Sequence, residues 1–405
     1  MDIFVGVLVG LLVLMLLVTL HEFGHFIAAR RNGVRVLEFG IGFPPRAVAW
    51  VKNPKTKKWA RLKKQDWGKP QEGLIFSLNF LPIGGFCQMD GESAFDERKG
   101  TFGAASFWKK TKILFAGVAM NWLVAFLILT ILAWVGMPDF MEDQFTIDSD
   151  TRVEYVPVKI TTVVEGSPAE VAGVRVGDFV VAIDGEQMRH GNEIIDYNSE
   201  HAGEEVIYKI YRKGEEGCNC DTNLDLTVKL NPSDSDYLLG VMMESSESKS
   251  YSTWSAPIVG AGITLQITGQ TFKGVGELLW NLISGIGRLF SLDESVRESG
   301  QAAISSVGDS VSGPVGIIGV LFPAFTSAGP ANLAYLAAII SISLACMNVL
   351  PIPALDGGRW LLIAIYKLRR KKLTTEVEEK IVARAFIVLL ALMFIVTILD
   401  ITRFF

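Results

Sequence analysis

Residues 3–31 read IFVGVLVGLLVLMLLVTLHEFGHFIAARR. Ile3 to Leu20 is uncharged and apolar, and Phe26-Ile27-Ala28-Ala29 continues the same helix. That run is long enough to span a bilayer. His21 and His25 are four apart, so on a helix they lie one turn apart on one face, where both imidazoles reach a single metal ion. Glu22 beside them has the place of a general base acting on a water that the metal activates. A charge at the bilayer centre costs about 2.5–3.5 kcal/mol on insertion scales, so these three side chains mark a functional site.

The rest of the composition agrees with a membrane protein. Half of the 405 residues are apolar and the mean hydropathy is +0.35, which excludes an ordinary soluble enzyme. The net charge of -5 carries little information because the charges are unevenly placed. The first span carries the motif, lacks a basic leader and runs into Arg30-Arg31, so it does not read as a cleavable signal peptide. Four Cys are too few for a disulfide framework. Cys87 and Cys346 sit in apolar surroundings, and Cys218 and Cys220 form a CxC in a polar loop.

Basic residues crowd positions 30–64, from Arg30, Arg31 and Arg35 to Lys52, Lys55, Lys57, Lys58, Arg61, Lys63 and Lys64. Short basic loops stay in the cytoplasm, which sets residues 30–70 inside and the N-terminus outside. Residues 74–89, LIFSLNFLPIGGFCQM, are apolar but broken by Pro82, Gly84 and Gly85. They predict a re-entrant β-hairpin beside the metal helix, with an edge free to take a substrate as an added strand. A second span covers about Ile113 to Gly136, with Asn121 facing the bundle interior. Its flanks change from basic (Lys109, Lys110, Lys112) to acidic (Asp139, Glu142, Asp143, Asp148, Asp150). Two further spans, Leu333 to Leu350 and about Ile381 to Leu399, flank the basic Lys367-Arg369-Arg370-Lys371-Lys372. Four spans with both termini outside satisfy every basic cluster.

The chain divides into a first membrane region (1–138), an inserted strand-rich module (152–245), an amphipathic helix and polar linker on the outer surface (254–312) and a second membrane region (313–405). In the module, runs at Val158–Val164, Phe179–Ile183, Val206–Tyr211 and Leu224–Leu230 alternate as strands. Its segments Gly166-Ser167-Pro168-Ala169-Glu170-Val171-Ala172-Gly173 and Gly177-Asp178-Phe179-Val180-Val181-Ala182-Ile183-Asp184-Gly185 resemble those of protease-associated PDZ domains. Such domains bind extended peptide ends by strand addition. A size filter over the active site is the alternative role.

A catalytic zinc needs three protein ligands and one open position. The other two histidines, His190 and His201, lie in the inserted module. Among the few carboxylates within apolar segments, Asp356 sits where the third span breaks, in Asn348-Val349-Leu350-Pro351-Ile352-Pro353-Ala354-Leu355-Asp356-Gly357-Gly358. It is the candidate third ligand; its alternative role is a cap on the helix that follows. Asn348 is placed to bond a substrate backbone or a developing oxyanion, or else to join helices.

Taken together, HExxH in the first span, the GGF hairpin, the Asn-bearing second span, Ser312-Gly313-Pro314-Val315-Gly316 and NxxPxPxLDGG resemble the bacterial site-2 protease family of intramembrane zinc metalloproteases, of the regulator of sigma-E protease type. The resemblance implies zinc held by His21, His25 and Asp356, catalysis by Glu22, substrate positioning by Asn348, and a substrate-binding β-loop at Gly84, Gly85 and Phe86. It implies a multi-pass protein of the bacterial inner membrane that cuts the transmembrane helix of a single-pass protein already shortened by another protease. Anti-sigma factors and remnant signal peptides are substrates of that class. Two features depart from the family pattern: one PDZ-like module in place of two, and Gly117-Val118 where Pro usually follows the Gly. Other readings of the same ligands are a zinc transporter or sensor, a soluble-substrate protease on a membrane anchor, and an inactive PDZ scaffold. The basic stretches flank spans and give no support for nucleic-acid binding.

Overall fold

The computed structural model describes residues 2–404 except 68, 70, 93–95, 142, 155–157, 189–190, 214–221, 236, 245–247, 290–292, 294 and 302–312. Cys218, Cys220, His190 and most of the expected linker at 291–312 therefore lie outside the described residues. The chain divides into two units, residues 1–132 with 256–405, and residues 133–255.

The first unit begins with α1 (Asp2–Arg31), one uninterrupted helix through the HExxH motif. A sheet follows, made of β1 (Val36–Lys52), β2 (Trp59–Arg61) and β3 (Ile75–Met89). Sequence reading expected one hairpin over 74–89 and a basic loop before it. The structure corrects both. β1 and β3 each bend back on themselves, and their arms interlock. Phe39 pairs with Cys87 on one side and with Phe76 on the other, and Phe76 pairs again with Trp50. Across the sheet the arms run 85–89, 36–41, 75–79 and 46–52, then β2. The two arms of β3 are thus parted by the first arm of β1, whose partners rise in number with it along 75–78. The cations crowded at positions 30–64 read as a basic loop and mask the strand potential of β1. Both bends fall at the same end of the sheet, where Phe43, Phe80, Leu81 and Ile83 are exposed. An exposed apolar tip of this kind marks a surface that meets a membrane or a protein partner.

Next comes α2 (Phe107–Val135), and then the second unit, which stands by itself. It holds β4 (Met137–Pro138), β5 (Arg152–Glu154), β6 (Val158–Val163), α3 (Pro168–Val171), β7 (Phe179–Ile183), β8 (Glu186–Gln187), α4 (Gly191–Glu200), β9 (Glu205–Arg212), β10 (Thr222–Lys229), β11 (Val241–Glu244) and β12 (Lys249–Tyr251). The four alternating runs expected from the sequence are β6, β7, β9 and β10. They join β11 in the order β10-β9-β7-β6-β11, with β8 beside β7. Alternation puts Val158, Ile160, Val180, Val206, Tyr208, Ile210 and Val228 into one core, closed by Ile194 of α4. Ser167 caps α3 by accepting from the Glu170 N–H, with Pro168 at the first helical position. Arg212 bonds the buried Asp178 at 2.7 Å and fixes the turn before β7.

The first unit resumes with α5 (Ala256–Leu289), α6 (Pro314–Gly316), a wider-wound stretch Ile317–Leu321, α7 (Phe322–Ser327), α8 (Pro330–Val349), α9 (Asp356–Leu368) and α10 (Thr375–Phe404). Four described helices are long and apolar enough to cross a membrane: Ile3–Arg31, Phe107–Val135, Pro330–Val349 and Thr375–Thr402. The first of them packs through small residues, as membrane helices do. A Cβ on Gly6 would lie 2.3 Å from Pro323, and one on Gly10 would lie 2.6 Å from the Phe322 ring, so α7 rests on that face of α1. Asp400, 3% exposed, accepts from the backbone N–H of Gly313 and Gly316 at 3.1 and 2.9 Å and ties α10 to the start of α6.

Candidate metal centre

The two histidines are buried on α1, as the four-residue spacing requires. The carboxylate of Asp356 arrives from the other end of the chain. Its Oδ2 lies 3.2 Å from His21 Nε2 and 3.3 Å from His25 Nε2, and the two Nε2 atoms are 3.1 Å apart. Asp356 is the first residue of α9, but its carboxylate points at the imidazoles, and no side chain caps that helix. The ligand atoms of His21, Glu22 and His25 all lie within 4.8 Å of one another.

The position of Asp356 is set by its neighbours one turn on. Trp360 donates to Thr111 Oγ1 of α2 at 3.0 Å and packs edge-on against Phe115. Arg359 bonds Glu378 of α10 at 3.0 Å and the backbone carbonyl of Glu92. The glycines of LDGG make room for the broken backbone. A Cβ on Gly357 would sit 2.0 Å from the Val349 carbonyl oxygen, and one on Gly358 would meet Ile352 at the same distance.

These residues fit a zinc ion. Zinc bonds of about 2.0–2.1 Å in tetrahedral geometry put neighbouring donor atoms about 3.3 Å apart. The three observed separations match that spacing, so the three donors could hold one zinc ion together. The outer ring nitrogens agree with this. His25 Nδ1 is 2.8 Å from the Ile113 carbonyl, so it carries the proton and leaves Nε2 a free lone pair. The side-chain amide of Asn121, fully buried, lies 3.3 Å from His21 Nδ1. Its Oδ1 has no partner as oriented. Turning the amide over, a choice that hydrogen bonding must decide, gives that oxygen the Nδ1 proton and again frees Nε2. Ser341 of α8 holds Asn121 by donating to its carbonyl at 2.9 Å.

Two features of the site were not read from the sequence. One is this Asn121–His21 bond; the sequence located Asn121 only as an inward amide. The other is Gly117 of α2, where an added Cβ would lie 2.5–2.6 Å from ring atoms of both histidines. The expected hairpin residues do lie beside the metal helix. Gly84 has φ +78° and packs on Val18, and Gly85 packs on Thr19, two residues before His21. Phe86, in the edge arm, pairs with Gly40 and faces Phe43 at 6.2 Å. Asn348 lies half-buried in the last turn of α8.

A two-histidine, one-carboxylate set beside a glutamate, built between long apolar helices, defines a membrane-embedded metallopeptidase. The profile of Peptidase family M50 matches residues 9–393. The chain belongs to that family and is a zinc metalloprotease of a multi-pass membrane protein class. It is 25% identical to the zinc metalloprotease RasP of Shouchella clausii, over 96% of this chain and 97% of that one. It is 25% identical to RasP of Geobacillus kaustophilus over 96% of each chain. The regulator of sigma-W protease RasP of Bacillus subtilis is 24% identical, again over 96% of each.

Proposed function

We propose that this protease cuts a peptide bond within the transmembrane helix of a single-pass membrane protein that another protease has already shortened. The observation that carries the reading is the meeting of Asp356 with His21 and His25 at 3.2–3.3 Å amid apolar helices. A zinc ion there would supply Lewis-acid polarisation and lower the pKa of water. His21, His25 and Asp356 would hold the ion through Nε2, Nε2 and Oδ2. Glu22 takes the proton of the attacking water and delivers it to the leaving amine. Asn348 and the edge arm 85–89 bind the substrate backbone, with Gly84, Gly85 and Phe86 at the near end of that edge. A helical substrate must unwind to expose its scissile carbonyl, and strand addition re-satisfies its freed backbone groups.

On this reading the four apolar helices cross a bacterial inner membrane with both termini outside, and the 36–89 sheet enters from the cytoplasmic side. Residues 152–245 act as a PDZ-like extracytoplasmic domain that takes a peptide end or excludes bulky, uncut substrates. The Bacillus subtilis relative is named a regulator of sigma-W protease, and that link to a sigma factor favours anti-sigma factors over remnant signal peptides as the substrate class. The test pairs zinc content with cleavage of a transmembrane substrate carrying a helix-destabilised segment. Glu22→Gln is expected to keep zinc and lose cleavage, and Asp356→Ala to lose both. Cleavage by Glu22→Gln sinks the mechanism; zinc retention without any cleavage by wild type favours transport or sensing.

A further inference from the structure

A cavity of about 440 Å³ opens in the sheet, away from the histidines, lined by Ala47, Val48, Arg61, Leu62, Lys63, Lys64 and Trp67. Its wall is tied down locally. The Leu62 N–H bonds the Ala49 carbonyl at 2.8 Å, and Arg46 reaches the Trp67 carbonyl. Its floor is apolar: Leu62 and Ala49 are buried with Ile75, and Trp67 packs on them. Its rim is cationic and exposed. Arg46 is neutralised by the buried Glu38, and Asp66 by Lys69 at 2.8 Å. Among the described residues no carboxylate pairs with Arg61, Lys63 or Lys64; Lys64 lies over the Trp67 ring at 6.0 Å.

An apolar floor under three unpaired cations fits an amphiphilic anion. The depth fits too. Val48 pairs with Leu78, three residues before the exposed tip at Leu81, or about 10 Å along a strand. The glycine after that tip touches Val18, which precedes Arg30 by about 18 Å of helix. With a half-bilayer of about 15 Å of hydrocarbon, an inserted tip leaves the cavity near the headgroups.

We propose that this cavity binds the phosphate and glycerol of an anionic glycerophospholipid, with Arg61, Lys63 and Lys64 on the phosphate and Trp67 against the glycerol and first acyl carbons. The proposal rests on the membrane placement above and not on catalysis, so its test never reads cleavage. Full-length protein in neutral detergent is titrated with short-chain phosphatidylglycerol, short-chain phosphatidylcholine and inorganic phosphate, and bound species are counted by native mass spectrometry. Phosphatidylglycerol is expected to bind best. The triple variant Arg61→Gln, Lys63→Gln, Lys64→Gln should weaken it by at least about tenfold, since each cation near a surface contributes several-fold. Ala47→Leu, which fills the cavity and keeps every charge, should weaken it comparably. Lys55→Gln, Lys57→Gln, Lys58→Gln removes the same charge from the exposed β1–β2 turn and should change it less than about twofold. Equal losses in both triples, full binding by Ala47→Leu, or equal affinity for phosphatidylcholine would overturn the proposal in favour of a diffuse basic surface. Inorganic phosphate binding as tightly as the lipid would overturn it in favour of a soluble anion.

Discussion

A methyl group at position 117 would fall 2.5 Å from His25 Nε2 and 2.6 Å from His21 Nε2. Alanine is a better helix former than glycine by about 1 kcal/mol, so Gly117→Ala is expected to leave α2 and the fold intact. It displaces both imidazoles instead, and zinc affinity should fall by roughly 10–100-fold, the range seen when ligand orientation is lost. Zinc retention against a graded chelator checks this; wild-type retention would refute the ligand assignment. Asn121→Leu removes the acceptor at His21 Nδ1 and is expected to weaken zinc over the same range. The histidine pair was legible because a four-residue spacing is a local property. Asp356 was legible because carboxylates are scarce in apolar segments. Gly117 was not, since its role is the absence of a side chain opposite two rings on another helix, and nothing local in its own helix records that.

At the scale of elements, Asp150 joins distant turns of the second unit. Its carboxylate accepts from the backbone N–H of Thr253 and Ser255 at 2.8 and 3.0 Å and from both hydroxyls. The Ser255 and Thr253 hydroxyls and N–H groups hold it well below the usual carboxylate range. A carboxylate lowered in the native state contributes stability that is present above its ordinary value of about 3.9 and lost as pH falls through the native value. Acidification below about pH 4 should therefore lower the melting temperature of wild type more than that of Asp150→Ala. The variant should melt below wild type at pH 7. Equal pH slopes would count against the contact. The strands of this unit were legible from alternation at 158–164, 179–183, 206–211 and 224–230. β1 was not, because register across an interlocked pair is set by β3, some forty residues on, and a pattern read along one chain segment does not contain it. On the proposed function, the same interlocking puts the strand that pairs with a substrate at the 85–89 arm rather than at a simple hairpin.

For the whole molecule, the charge asymmetry of the loops predicts sidedness. In a chain with Cys218 and Cys220 changed to Ser, the remaining Cys87 and Cys346 are buried. Cysteine placed at the exposed Lys57 or Asp148 then reports each side of the membrane. A membrane-impermeant maleimide is expected to label Asp148→Cys in intact spheroplasts and Lys57→Cys only after permeabilisation. The reverse pattern would invert the proposed orientation. His21 meets a carboxylate 335 residues later in the chain. A ribosome adding about 5–20 residues per second needs on the order of 20–70 s to travel from one to the other. On the proposed assignment, the growing chain carries two histidines and a glutamate but no complete metal site for all of that time. A nascent peptidase of this design is inert toward its own unfinished helices and toward neighbours in the insertion machinery until α9 has been made.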